Sequence, residues 1–301
     1  MARRRKGRPV HGWLIVDKSA GPSSADVVAI ARRALGAQKA GHAGTLDPAA
    51  TGLLAVAFGE ATKTIPWLAK AEKAYRFTVR WGAATDTDDA EGTVTARAEA
   101  RPEAEAIVAA LPAFRGDILQ TPPQVSAVKV DGQRAYHRAR AGEEVALAPR
   151  PLHVSRLELI EMPDRDTAVF EMVCGKGGYV RAIARDLGAA LGCLGHVLTL
   201  RRIWSGPFDL SDAVPLAELE APAAPEAHDA RLLPVEAALA ALPRVTATPE
   251  GAVRIANGNP GAILPAALDW GTEGWAEAEG RPLAIGTVRA GLFHPERVFR
   301  F

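Results

Sequence analysis

The stretch that most constrains this chain is Gly41-His42-Ala43-Gly44-Thr45-Leu46-Asp47-Pro48-Ala49-Ala50-Thr51-Gly52. Three glycines, one proline, one histidine and one carboxylate fall within these twelve residues. Glycine adopts backbone conformations closed to other residues and lets a ligand approach the main chain closely. Pro48 has its φ fixed and pushes Asp47 toward an extended backbone. Asp47 is therefore expected on a stiffened loop, between a helical pattern and the apolar run Leu53 to Phe58. On local pattern alone this is an Asp-Pro turn; whether it carries chemistry depends on what else the chain brings to it.

The helical pattern before the loop has a defined start. Ser23 with Asp26 three residues later reads as a capping box. Val27, Ile30, Ala31, Ala34 and Leu35 follow at helical spacing, and Gly36 is a stop. Gly12 to Val16 reads as a buried strand ending at Asp17-Lys18. Glu60 to Leu68 reads as a short helix broken near Pro66. Lys73 to Trp81 alternates, with Tyr75, Phe77, Val79 and Trp81 on one face, as in a half-buried strand. Thr85 to Gly92 is an acidic turn without the ligand spacing of an EF-hand.

Further along, Pro102 opens a helix through Leu111. Ala127 to Val130 reads as a short strand and Ala135 to Ala141 as a basic helical turn. Leu152 to Met162 and Thr167 to Cys174 form a strand pair. A second glycine-rich loop, Gly175 to Tyr179, leads into a helix with core stripe Val180, Ile183, Ala184, Leu187 and Leu191. Arg181 and Arg185 lie four apart on another face. Cys193 to Trp204 reads as a strand, and Pro215 to Leu242 as helical with an irregular interruption at 221–230. After Pro243, short runs separated by Gly, Pro and Asn read as a small β-rich module docked on the main body. Residues 1–9 read as a basic disordered arm.

At 301 residues the chain is long enough for two domains. It has no apolar run of membrane-spanning length and no secretory signal, so a cytoplasmic protein is expected. Its two cysteines, Cys174 and Cys193, fit neither a disulfide framework nor a zinc site. Net charge is only +1, but cations cluster: in the N-terminal arm, over Lys129 to Arg140, and at Lys176, Arg181, Arg185, Arg201 and Arg202. Such patches suit either a phosphate backbone or a solvated face.

The reactive candidates are Asp47, His42, Lys18, Tyr75 and Arg181. No Cys/His cluster offers a metal site, and no Gly-x-Gly-x-x-Gly or P-loop offers a nucleotide site, so no cofactor is expected. An aspartate can then act as nucleophile or general base. An arginine beside an aspartate favours its charged form and keeps its own proton.

Gly41 to Pro48, with Ala50-Thr51-Gly52, resembles the catalytic motif of the bacterial TruB family, the tRNA pseudouridine-55 synthases. The likeness continues in order over roughly residues 10–215. Leu14 to Gly21 is similar to the family's N-terminal motif. Lys73-Ala74-Tyr75, with Gly82 and Thr85 to Asp88, resembles its tyrosine motif. Lys176 to Arg181 with Asp186-Leu187-Gly188, then Leu200-Arg201-Arg202, resembles its arginine and leucine motifs. Asn257 to Pro260 and Leu283 to Gly286 resemble a PUA domain. Ala43 stands where the family usually carries Thr, and Trp81 where Leu is common. Neither change removes a reactive group.

The resemblance implies an α+β fold: a mixed, mainly antiparallel central sheet with flanking helices, over residues 10–243, and a PUA-like RNA-binding domain over 244–301. It implies isomerisation of uridine to pseudouridine in the T loop of tRNA, by a monomer without cofactor or guide RNA. Asp47 would be the nucleophile. Tyr75 would pack on the flipped base, and is a candidate for removing the C5 proton. Arg181 would pair with Asp47. His42 would sit against the RNA, while Lys18, Tyr179 and Leu200 line the pocket or support it. Lys129, Arg134, Arg138, Arg201 and Arg202 are candidate phosphate contacts. Two other readings are a tRNA-folding chaperone, compatible with the basic patches, and a glycoside hydrolase. The latter needs a second carboxylate beside Asp47, and no nearby acid has a comparable setting.

Overall fold

The computed structural model describes residues 7–126 and 146–301, together with the backbone of 129–130 and 133–134. The expected basic turn at Ala135 to Ala141, the first two residues of the strand expected at Ala127 to Val130, the side chains of Lys129, Arg134 and Arg138, and residues 1–6 of the N-terminal arm lie outside the described residues. The strands of the main body are β1 (Gly12–Lys18), β2 (Ala40–Ala43), β3 (Thr51–Phe58), β4 (Lys73–Trp81), β5 (Ala83–Thr85), β6 (Val94–Arg97), β7 (Gly116–Gln120), β8 (Lys129–Val130), β9 (Gln133–Arg134), β10 (Arg150–Asp164), β11 (Thr167–Cys174), β12 (Gly195–Ser205), β13 (Phe208–Asp209) and β14 (Val214–Pro215).

A large mixed sheet runs β14-β1-β3-β12-β4-β11-β10-β7, with β2 attached to β3 and β13 to β12. Most pairs are antiparallel; β1 with β14 and β12 with β3 are parallel. The helix α1 (Ser24–Ala34) begins with the capping box, Ser23 accepting from the Asp26 backbone and Asp26 returning the contact. It ends at Leu35, with Gly36 at φ +57°, a conformation that favours glycine.

The apolar run of β3 is continuous because both faces of that strand are covered. Leu54, Val56 and Phe58 pack with Val27, Ala31 and Leu35 of the α1 side. The alternate residues Leu53, Ala55 and Ala57 pack with Trp13, Leu68 and Leu239 on the other. In β4 one face suffices: Tyr75, Phe77, Val79 and Trp81 join a core with the helix Val180–Ala190, while Arg76 and Arg80 face out.

Two helical expectations are refined. The stretch expected to break near Pro66 is interrupted at Thr64, between the 3-10 turn Gly59–Lys63 and α2 (Ile65–Lys70), and Pro66 sits in the first turn of α2. A first-turn proline loses no intrahelical bond. The expected helical stretch Pro215 to Leu242 holds a short α-helix, Leu216–Glu220, and then 3-10 turns at Pro225–Arg231 and Val235–Leu239. Pro222, Pro225 and Pro234 deny it the donors of a continuous helix.

The C-terminal part is a second sheet, ordered β15-β17-β18-β19-β16, from β15 (Arg244–Thr246), β16 (Gly261–Ala262), β17 (Glu273–Ala278), β18 (Arg281–Arg289) and β19 (Leu292–Val298). One helix, Pro249–Ala256, is capped by Thr248. Ile285 and Phe299 join the Trp13 cluster, and Lys63 Nζ donates to the Val298 carbonyl at 2.7 Å, so this sheet docks on the main body. Among the described residues, no helix is long and apolar enough to cross a membrane.

Candidate active site

The loop carrying Asp47 joins β2 to β3. Gly44 opens it at φ +83° and Gly52 follows it at φ +95°. A Cβ on Gly52 would collide with the Arg202 carbonyl, so glycine is required there. Ser24, at the start of α1, brackets Leu46: its hydroxyl accepts from the Leu46 N–H at 2.8 Å and lies 3.0 Å from the Leu46 carbonyl it donates to. The Ala50 N–H donates to the Asp47 carbonyl at 3.1 Å, closing the Asp-Pro turn.

Lys18 lies beneath this loop, fully buried. Its ammonium donates to the carbonyls of Ser19, Pro48 and Ala50 at 3.0, 2.8 and 2.6 Å, using all three protons. Burial lowers its pKa, and the Asp47 carboxylate opposes that shift. Lys18 is a positioning residue for the loop. Arg202 is also fully buried, which differs from the exposed phosphate contact expected of it. Its guanidinium donates to the carbonyls of Leu53 at 2.7 Å and Gly44 at 3.0 Å, tying β12 to the loop. Arg201, a second phosphate candidate, grips both carboxylate oxygens of Asp17 at 2.9 and 2.7 Å.

Asp47 meets its partner across the cleft. Arg181 Nη2 lies 2.9 Å from Asp47 Oδ2. The same guanidinium donates to the carbonyls of Thr87 at 2.8 Å and Val125 at 3.0 Å, and Asp89 lies 3.5 Å from it. Arg181 is only 6% exposed, although it lies off the apolar stripe of its helix. Acceptors on every side compensate its burial.

A cleft of about 310 Å³ opens over this pair. Tyr75, Tyr179, Leu200 and Arg202 line it with Asp47 and Arg181, as do Lys73 and Lys176. Burial raises the pKa of Tyr75, so its phenol is neutral at neutral pH. Tyr179 precedes the helix Val180–Ala190, its backbone N–H and carbonyl both bonded to the Gln120 side chain at 2.9 and 3.0 Å. His42 is not among the lining residues. It sits in β2 opposite Val56, its Nδ1 buried with no hydrogen-bond partner among the described residues. Burial and then the Arg202 charge lower its pKa.

Sequence reasoning missed the supports. The acidic turn supplies Thr87 and Asp89 to Arg181, and Asp88 to Arg185 at 2.9 Å. Asp88 is held at φ +61°, a strained conformation that Asp tolerates better than most residues. The signal was present as two arginines four apart and two adjacent aspartates. Lys73 was missed too: it is buried, and its amine donates to the carbonyls of Leu68, Ala69 and Ala71.

Relatives place the chain. The model for the N-terminal domain of TruB family pseudouridylate synthases matches residues 32–180. The model for the tRNA pseudouridylate synthase B C-terminal domain matches residues 181–240. The chain is 60% identical over 300 residues to the tRNA pseudouridine synthase B of Dinoroseobacter shibae, covering 100% of this chain and 99% of that protein. The chain belongs to the TruB family. It is also 58% identical over 299 residues to the tRNA pseudouridine synthase B of Ruegeria pomeroyi, covering 99% of both. A chain in the structure of an H/ACA RNP bound to a substrate RNA containing 2'-deoxyuridine shares the fold, with TM-score 0.74 at 23% identity over 100% of this chain and 92% of that one. So does one in the archaeal box H/ACA sRNP Nop10-Cbf5 complex, with TM-score 0.73 at 24% identity over 100% and 93%. In this TruB family chain, Asp47 comes from the segment matched first and Arg181 opens the second. Their ion pair joins the two.

Proposed function

We propose that this protein isomerises uridine to pseudouridine at position 55 in the T loop of tRNA. The observation that carries this is the Asp47–Arg181 pair at the floor of a cleft walled by Tyr75, in a chain 60% identical to a tRNA pseudouridine synthase B.

The target base is stacked inside a folded loop, and extruding it costs a few kcal/mol. Stacking on one aromatic side chain returns roughly 1–3 kcal/mol, which is the role of Tyr75. Asp47 attacks the uridine as nucleophile, and Arg181 holds that carboxylate in place. The glycosidic C–N bond breaks, the uracil turns, and a bond forms from the ribose to C5 while the bond to Asp47 breaks and returns its electron pair to the carboxylate. The C5 proton then leaves, and N1 ends with a proton, so atoms balance without any co-reactant. Lys18, Ser24 and Arg202 hold the loop rigid through these steps. The sheet from Arg244 to Val298 serves as a PUA-like RNA-binding unit. The protein works in the cytoplasm as a monomer, without a guide RNA.

The test is to incubate the purified protein alone with unmodified tRNA transcript and map pseudouridine by chemical labelling and primer extension. A single stop at position 55 supports the reading. No stop, or a stop that needs added RNA, contradicts it.

A further inference from the structure

The cleft leaves a second set of cations unused, at the other end of α1. There an open groove of about 960 Å³ is lined by Gly7, Arg32, Arg33, Gln38 and Lys39, among others. Arg32, Arg33 and Lys39 are all exposed. None of the three side chains has a hydrogen bond or ion pair to another described residue. Arg8 nearby differs: it binds Asp229 at 2.5 Å and lies 3.4 Å from Glu226. The groove wall is rigid. Arg8 N donates to the Gly36 carbonyl at 2.6 Å, Ala37 N to Arg32 at 2.9 Å, and Gln38 Nε2 to Gly7 at 2.9 Å. Four more cations, Arg3, Arg4, Arg5 and Lys6, immediately precede Gly7 in the sequence.

Helix polarity explains part of this. Cations in a last turn stabilise a helix, and that accounts for Arg32 and Arg33 on α1. It does not account for Lys39, which lies beyond the helix yet lines the same groove. Three full charges also outweigh the partial negative charge at the end of α1. A rigid, one-sign surface with unpaired guanidinium and ammonium groups fits the oxygens of a phosphate backbone.

We propose that this groove is a second contact for the RNA substrate, gripping backbone phosphates away from the flipped nucleotide. This rests on the reading of the protein as a tRNA-modifying enzyme. The geometry gives the separation. Ser24 bonds the Asp47 loop at the N-terminal end of α1, and the eleven-residue helix spans about 16 Å at ~1.5 Å per residue. A nucleotide seated over Asp47 does not itself reach the groove. The contact therefore contributes to affinity and its salt dependence, and not to the chemical step.

The experiment compares wild type, the triple variant R32A/R33A/K39A and the charge-preserving R32K/R33K/K39R. The readouts are tRNA binding between 50 and 200 mM salt and single-turnover tritium release at saturating enzyme. The triple alanine variant is expected to bind about tenfold more weakly, with a salt slope about 2–3 less steep, as for the loss of three phosphate contacts. Its release rate at saturation should stay within twofold of wild type, and the charge-preserving variant should bind normally. Unchanged affinity and slope in the alanine variant, or equal weakening in the charge-preserving one, overturns the proposal. Wild-type protein that binds tRNA but releases no tritium would sink the enzymatic reading instead, and leave the binding comparison readable.

Discussion

Arg181 Nη2 sits 2.9 Å from Asp47 Oδ2, while the same guanidinium donates to the carbonyls of Thr87 and Val125. The pair is thus held by a fixed fork. Asp47 keeps a side chain 43% exposed to the cleft, against 7% for Arg181. One partner is locked into the body of the protein and the other is presented to a substrate.

Arg181→Lys tests that geometry. A lysine retains the charge but cannot hold the two carbonyls and the carboxylate in one plane. We expect single-turnover rate to fall roughly 10²-fold, the scale of a small misplacement of a reacting group. Affinity for tRNA should change by less than threefold. Rapid-quench kinetics with binding measured separately checks both.

Tyr75 separates stacking from proton transfer. Tyr75→Phe keeps the ring, so tRNA affinity should hold while turnover falls. Tyr75→Leu removes the ring and should weaken binding by roughly 1–3 kcal/mol, about five- to 150-fold. Filter binding of both variants reads the difference.

Lys18→Met leaves the carbonyls of Pro48 and Ala50 without their buried donor. Unsatisfied buried groups cost about 1–3 kcal/mol each. Urea denaturation should show a loss of that order, and the rate should drop because the Asp47 loop is no longer pinned. A rate loss with unchanged stability would contradict a positioning role.

Lys73 gives a pH signature. Burial first, and then the Arg202 charge, lowers its pKa from 10.5 to about 8. Between those values the unfolded chain binds the proton and the folded one does not, so stability rises with pH. The burial penalty is fully present below about 8 and is relieved as pH climbs toward 10.5. Relative to Lys73→Met, the wild type should gain about 2 kcal/mol between pH 7.5 and 9.5. Denaturant melts of both proteins at the two pH values check it.

How much of this was legible in the chain depends on the kind of signal. The capping box at Ser23 and the alternation of β4 could be read because each is local and repeats. The strand at Glu273–Ala278 and the helix at Pro249–Ala256 were missed inside a stretch read only as short β runs. The former carries glutamates and a glycine among its few apolar residues, so alternation was weak. At the site, Asp47, Tyr75 and Arg181 could be named from motifs. The burial of Lys18, Lys73 and Arg202 could not. Hydrophobic periodicity assigns cations to surfaces, and only the three-dimensional placement of backbone carbonyls reveals the acceptors that let a charge go inside.

The most direct test of the account is tritium release from tRNA labelled at uridine C5. Wild-type protein without added RNA or metal should release the label from the target uridine. Asp47→Asn, which preserves shape and removes the nucleophile, should release none while still binding tRNA. Full release by Asp47→Asn, or none by the wild type, would contradict the account.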